Sequence, residues 1–286
     1  MTLRPFWTYY GGKWRAAPRY PRPIYDTIIE PFAGAAGYAL RYPEHKVILV
    51  EKNAKVAAIW RYLLRVSSSE VRALPLLGDG QTVDDLSVCE EARYLIGFWM
   101  NKGAASPCKS PSRWAVTYPN QSWGEHIRNR VASQVDHIRH WRLIEGDYTD
   151  APEVEATWFI DPPYIGAGQH YPTKVASFAT LAEWCRARTG QVMVCENEGA
   201  TWLPFQPFLA IKGNESRHGG KVSREAIWTN WDEDDAIERG EHRREEEGYD
   251  PSDAWRFCEG CGCRKQTARA RSWSDHSWCD DCTSRE

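Results

Sequence analysis

A chain of 286 residues can bury the core of one large domain or two modest ones, and its formal net charge of −3 singles out no partner. No stretch approaches the roughly eighteen consecutive apolar residues of a membrane span. No apolar signal segment follows the start "MTLRPFWTYY", so the expectation is a cytoplasmic protein with reduced thiols and no membrane contact.

Strand and helix signals alternate along the chain, which predicts an α/β fold with a mostly parallel sheet covered by helices. "DTIIEPF" (26–32) reads as a first strand running into the small-residue turn "AGAAG", and "KVILVE" (46–51) as a second, with a short helix between them. "NAKVAAIWRYLLRV" (53–66) places Val56, Ile59, Trp60, Leu63 and Leu64 on one helical face. Residues 67–140 hold polar loops and two helices but no strand. The second helix is signalled by Ser122 and Glu125, read as a capping box ahead of Ile127, Val131, Val135 and Ile138. Strands resume with "RLIEGDY" (142–148), "ATWFID" (156–161), "QVMVCEN" (191–197) and "REAIWTNW" (224–231). The domain expectation is therefore a sheet domain from 1–66 and 141–231, interrupted by an insert at 67–140. A charged stretch at 232–255 without apolar periodicity reads as a linker, and 256–286 as a separate cysteine-rich module.

Four places carry chemistry. In "EPFAGAAG" (30–37) a strand ends in a turn whose Gly34 lets the backbone approach a ligand closely, although tight packing alone also explains small residues there. Glu51 ends the next strand about twenty residues on, where a nucleotide-binding sheet hydrogen-bonds ribose hydroxyls; a solvated strand-end carboxylate is the plain alternative. "GDY" (146–148) sets an acid and an aromatic at another strand end, suited to an adenine amino group and ring. "DPPY" (161–164) follows the most apolar strand.

Taken in order, "YYGGKWR" (9–15), "EPFAGAAG", "EGDY" and "DPPY" make the chain resemble the Dam-type, D12-class DNA adenine N6-methyltransferases, phage members among them, over roughly residues 5–231. A glycine-lysine element ahead of the first strand, with the insert ahead of DPPY, matches the alpha-group order of that class. The resemblance implies a Rossmann-like methyltransferase sheet with a mostly helical target-recognition insert. It also implies S-adenosylmethionine as cofactor, double-stranded DNA as partner, and a bacterial or phage-infected cytoplasm. Carried over by residue, it implies that Tyr9, Gly12 and Lys13 close over the methionine part of the cofactor. Pro31, Phe32, Ala33 and Gly34 would lie beside it, Glu51 would hold the ribose, Asp147 and Tyr148 the adenine, and Asp161 would face both cofactor and target. In one respect the sequence departs from the family: Ala36 stands where a second glycine is usual, with Gly37 following. Two other readings stay open, a cytosine N4-methyltransferase and a nucleic-acid-binding protein that keeps the fold without turnover.

DPPY answers a chemical difficulty. The lone pair of an adenine amine is delocalised into the ring, so a catalyst must take hydrogen bonds from both N–H groups as the methyl arrives. Asp161 supplies one acceptor and the Pro162 carbonyl the other, while Pro162 and Pro163 fix the backbone and add no competing N–H. Tyr164 offers a flat face for a target base flipped out of the duplex.

Within the insert, Lys102, Lys109, Arg113, Arg128 and Arg130, interleaved with Trp114, Tyr118, Trp123 and Trp141, form the expected DNA-binding set. The alternative is a solvated helix face with tryptophans in the core. The loop "KGNESRHGGKVSR" (212–224) is a further basic candidate. Near the C-terminus Cys258 and Cys261 form one CxxC pair and Cys279 and Cys282 another, the spacing of a small zinc ribbon holding one structural Zn2+. Cys263 competes with Cys261 as a ligand, and His276 is a weaker substitute.

Overall fold

The computed structural model describes residues 2–166, 168, 171–212 and 222–231, together with the backbone of two short strands, Arg256–Phe257 and Arg264–Lys265. The chain divides into two compact units, Met1–Ala236 and Ile237–Glu286. In the second, the two short strands pair antiparallel. The expected linker at 232–255 and the expected zinc ligands Cys258, Cys261, Cys279 and Cys282 lie outside the described residues, as does most of the 212–224 loop.

Runs rich in β-branched and aromatic residues build the sheet of the first unit. Its strands are β1 Thr27–Glu30, β2 Lys46–Glu51, β3 Arg142–Glu145, β4 Ala156–Ile160, β5 Gly190–Asn197, β6 Gln206–Lys212 and β7 Val222–Thr229. They lie in the order β3-β2-β1-β4-β5-β7-β6. The first five are parallel, and β7 runs antiparallel to both β5 and β6. Strand order reverses between β1 and β4, the switch point at which an open α/β sheet leaves a crevice beyond its carboxyl ends. This mixed, mostly parallel sheet agrees with a Rossmann-like fold.

Alternation along each strand divides the core between the two faces of the sheet. Ile28, Phe159, Met193 and Cys195 point to one cluster, and Ile29, Trp158, Ile160, Val192 and Val194 to the other. The first cluster takes in helix α1 (Ala54–Leu63) and the N-terminal Leu3, Phe6 and Trp7; the second takes in Leu181, Ala182 and Cys185 of helix α6 (Phe178–Arg186). Burial on both faces explains why every residue of β4 is buried, Thr157 included, and why its apolar residues do not alternate with exposed polar ones. Asn53 caps α1 by accepting from the Lys55 N–H at 3.1 Å. Val56, Ile59, Trp60 and Leu63 are buried as expected, while Leu64 is the C-cap and only half-buried. Between β1 and β2 the expected helix is a single 3-10 turn, Ala39–Arg41.

The insert has four helices instead of two and no strand among the described residues: α2 Ser68–Ala73, α3 Glu90–Phe98, α4 Arg113–Thr117 and α5 Glu125–Gln134. The two additional ones, α2 and α4, are too short for apolar periodicity to announce them. The capping box forms at Ser67 and Glu70, starting α2, and not at Ser122. Gly124 is the N-cap of α5, and the Ser122 hydroxyl instead lies within bonding distance of the Ala115 and Pro119 carbonyls, at 3.1 and 3.2 Å. Ile127, Val131, Val135 and Ile138 are all buried, the last two in a 3-10 turn that extends α5. Leu95, Phe98, Ile127 and Val131 share one core with Trp60 and the sheet, so the insert is packed onto the sheet domain. Strand β6 was not expected, because Pro207 interrupts its pattern; an edge position with a bulge between Pro207 and Leu209 accommodates it. No helix among the described residues is long and apolar enough to cross a membrane.

The N-terminal segment crosses the turn after β1 at close range. A Cβ on Gly37 would lie 2.6 Å from the Trp14 nitrogen and 2.9 Å from that of Lys13, both backbone atoms that cannot move aside. Ala36, by contrast, adopts a left-handed φ of 49° with its methyl already accommodated in the core. Gly37→Ala should therefore destabilise the fold by about 2 kcal/mol or more. Ala36→Gly should change it by less than about 1 kcal/mol, because relief of the left-handed strain offsets the lost methyl. Urea unfolding of the two variants measures both.

Candidate functional site

One cleft opens beyond the carboxyl ends of β1, β2 and β4. Its wall includes Tyr9, Gly12, Lys13, Pro31, Phe32, Ala33, Gly34, Glu51, Asp147, Tyr148 and Asp161, so every residue expected at a cofactor meets here from five separate stretches of chain. Pro163 also lines it, whereas Pro162 is buried beneath.

The floor is a turn locked by a carboxylate. Glu51 Oε2 accepts from the Gly34 N–H at 2.8 Å and Oε1 from the Asn53 N–H at 2.7 Å, tying the β1 turn to the start of α1. Burial pushes this carboxyl up to about 7, with the backbone donors pulling against it. Glu30, at the end of β1, accepts from the Ala39 N–H at 2.6 Å, and burial raises it to about 8. Gly34 has a left-handed φ of 45°, and the Tyr9 ring lies 3.0 Å from where a Cβ would be, so the turn both bends and receives Tyr9 there.

At the other end Phe32 and Tyr148 stack, their centroids 5.3 Å apart and planes 26° from parallel. Beside them Asp147 Oδ2 accepts from the Lys52 ammonium at 2.6 Å.

The third wall is the chain after β4. Lys13, 6% exposed, pairs with Asp161 at 2.9 Å and lies 3.8 Å from Glu225 of β7. Its ammonium also lies 4.7 Å above the Tyr164 ring. Two carboxylates hold Lys13 firmly charged against the cost of burial. Asp161 is raised above the ordinary carboxyl range by burial, with Lys13 pulling it back. Tyr164, whose hydroxyl is buried without a hydrogen bond, presents one ring face to Lys13, so at most its other face remains for a base. Glu196 at the end of β5 holds this loop, accepting from the Ile165 N–H at 3.2 Å and the Trp202 indole at 3.0 Å. Tyr171 straps the opposite side, its hydroxyl donating to the Tyr10 carbonyl at 2.8 Å.

Several lining residues were not anticipated. Glu30 was legible as an acid ending the apolar run "TIIE", but Lys52, Tyr171 and the stretch from Thr173 to Ala176 carried no pattern. Glu225 sits inside the expected strand "REAIWTNW" and read as an ordinary strand residue.

The basic set of the insert divides in two. Arg128 donates to the Leu74 carbonyl at 2.8 Å, and Arg130 lies 5.1 Å over the Trp99 ring and donates to the Pro5 carbonyl at 3.3 Å. Burial lowers the Arg130 guanidinium to about 10. Both arginines brace packing inside the domain instead of presenting free charge to a phosphate. Trp123 and Trp141 are likewise core residues, donating to the Pro75 and Pro43 carbonyls. Lys102 and Arg113 are exposed, and Lys109 is exposed but paired with Asp84 at 2.6 Å. Alanine at Arg128 or Arg130 should lower the melting temperature measurably, through the lost braces.

Glu30, Glu51, Asp161 and Glu196 are all raised by burial, which fixes the sign of the pH dependence of stability. Above the ordinary value of 4.5 the unfolded chain has released protons that the folded chain still holds, so stability falls as pH climbs from about 5 to about 8. Thermal unfolding across that window should show a declining midpoint; a flat or rising one would contradict these ionisations.

A scan against protein-family models finds no match, and a search of curated proteins finds none either. Among solved structures, a conserved hypothetical protein from Streptococcus pyogenes is similar over 75% of this chain and 89% of its own, at 15% identity and a TM-score of 0.32. A likeness that distant carries no functional reading.

Proposed function

We propose that the chain is a DNA adenine N6-methyltransferase that uses S-adenosylmethionine. The observation that carries the reading is the meeting of "YYGGK", "EPFAG", Glu51, Asp147 and Tyr148 of "GDY", and Asp161 and Pro163 of "DPPY" in one strand-end cleft.

The cleft's chemistry fits such a cofactor better than a dinucleotide. Among the described residues, Glu30 and Glu51 take part in no ion pair, and both are held by backbone N–H groups with carboxylate capacity to spare. Such carboxyls accept from ribose hydroxyls and ionise beside a sulfonium, an interaction a pyrophosphate cannot draw on. The Phe32–Tyr148 stack gives an adenine a flat neighbour, with Asp147 as acceptor for its amino group. When bound, S-adenosylmethionine supplies an electrophilic methyl group.

The chain's own part is to prepare the amine. Asp161 accepts one N–H of the target and the Pro162 carbonyl the other, so the nitrogen lone pair is freed from the ring. Burial makes Asp161 a stronger proton acceptor than an exposed aspartate and places its charge beside the nitrogen that turns positive. On this reading the Tyr164 ring, which packs beside Lys13, carries the flipped base. Lys102 and Arg113 are the exposed members of the insert suited to phosphates.

Methylome sequencing of DNA from cells expressing the chain should find N6-methyladenine at one short sequence. N4-methylcytosine would favour the cytosine reading, and unmodified DNA the binding protein without turnover. Asp161→Ala should abolish transfer while calorimetry still registers cofactor binding, and Tyr164→Ala should raise KM for DNA. Near-normal turnover in Asp161→Ala would sink the mechanism. For the cysteine-rich tail the proposal of one structural zinc rests on spacing alone. Elemental analysis should find one zinc per chain, diminished in Cys279→Ser.

A further inference from the structure

Glu225 lies outside the cleft wall, yet it reaches the buried ammonium of Lys13. Its Oε1 is 3.8 Å from the Lys13 ammonium, and its Oε2 accepts from the Tyr20 hydroxyl at 2.8 Å in a bond buried on both sides. The reversed direction of β7 makes this possible: Glu225 pairs with Asn197, the last residue of β5, so the beginning of β7 lies level with the strand ends where the cleft opens. Only an antiparallel strand can enter the sheet at that edge.

A lone Lys13–Asp161 pair would be a neutral unit, its carboxylate already satisfied by a full positive charge. A second carboxylate on the same ammonium changes the balance. The trio Lys13, Asp161 and Glu225 carries a net negative charge in a place with little water, facing the position where an amine turns positive. We infer that Glu225 is a positioning residue: it shares the Lys13 ammonium with Asp161, held to that task by Tyr20, and so keeps Asp161 available as the acceptor of the target amine. This rests on the methyltransferase reading for its purpose, though not for its geometry.

Other charges and hydroxyls surround Asp161. Tyr164 belongs to its own loop, Glu30 comes from β1, Cys195 and Glu196 from β5, and Tyr20 and Tyr171 from the flanking segments. Of these partners, Lys13 alone brings a positive charge, and Glu225 is the second carboxylate that reaches it.

The test compares wild type, Glu225→Gln, Glu225→Asp and Tyr20→Phe in the full chain. In methyl transfer, Glu225→Gln should lower kcat about 10- to 100-fold while KM for S-adenosylmethionine changes less than about threefold. The acidic limb of its pH profile should move down by about one unit, since Asp161 loses a like charge. Glu225→Asp should restore part of the rate, and Tyr20→Phe, which removes the hydroxyl that holds Glu225 and also touches Cys195, should shift both quantities the same way by less. Alongside, carboxyl carbon-13 resonances follow the Asp161 titration directly. Its midpoint should fall in Glu225→Gln and Tyr20→Phe whether or not a methyl-accepting substrate is in hand. An unchanged Asp161 midpoint in both overturns the inference, as does a normal kcat in Glu225→Gln. Absence of methyl transfer in wild type with the midpoint shift present overturns the functional reading and leaves the Glu225 arrangement standing. Should Glu225→Gln fail to fold, the Tyr20→Phe midpoint decides.

Discussion

An ammonium with 6% of its surface exposed cannot persist in an apolar interior without anionic company, and Lys13 is such a group. Much of the architecture around the cleft follows from bringing carboxylates to it. The N-terminal segment must run across the ends of β1 and β4 to deliver Lys13, which in turn requires a residue without Cβ at Gly37 and the clamp of Arg41 over the Trp14 ring, 3.6 Å away. Asp161 arrives from the end of β4 and Glu225 from the start of a strand running the other way. Removing one partner from a buried pair costs on the order of 3–5 kcal/mol, because the survivor is left uncompensated, so these elements are bound to each other by charge as well as by packing.

The carboxylates at the strand ends have a second consequence. Glu30 and Glu51 are held by backbone N–H groups rather than by cations, and burial raises both toward neutrality. The folded chain thus stores acidity at the site that a ligand would fill. Carboxyls poised between pH 7 and 8 respond to a cationic neighbour by ionising, so a cationic ligand such as the proposed cofactor would release protons on binding at this cleft. A sheet evolved only for stability would place apolar residues or paired charges there.

The sequence was most readable where one physical rule governed a stretch. "KVILVE" matched β2 residue for residue, and the apolar face of Val56, Ile59, Trp60 and Leu63 announced α1, because buried parallel strands and amphipathic helices leave local patterns. The cleft wall was readable because each of its acids follows or ends a strand, and strand ends in a parallel sheet meet on one edge. The insert was less readable. Ser122 and Glu125 have the spacing of a capping box, yet the tertiary contact of Ser122 with α4 outweighed it. Arg128 and Arg130 look like surface charge in a polar helix, and nothing local reveals that carbonyls of Leu74 and Pro5, more than fifty residues away, take their guanidinium groups. Glu225 was invisible for the same reason: its partners Lys13 and Tyr20 are about two hundred residues distant.

The displacement of Arg128 and Arg130 into the interior bears on how nucleic acid would be met. With those side chains spent on the protein's own carbonyls, the exposed cations of the insert reduce to a few, Lys102 and Arg113 among them, and Lys109 is engaged by Asp84. A duplex gripped by few phosphate contacts is held weakly and with a shallow salt dependence. On the proposed function, specific capture would then depend on the cleft itself, where an extruded base would have to reach Asp161 and the Pro162 carbonyl beside the Tyr164 ring. On this account affinity and chemistry are linked at one place: the charge balance around Lys13 governs how well the flipped base is held as well as how readily its amine reacts.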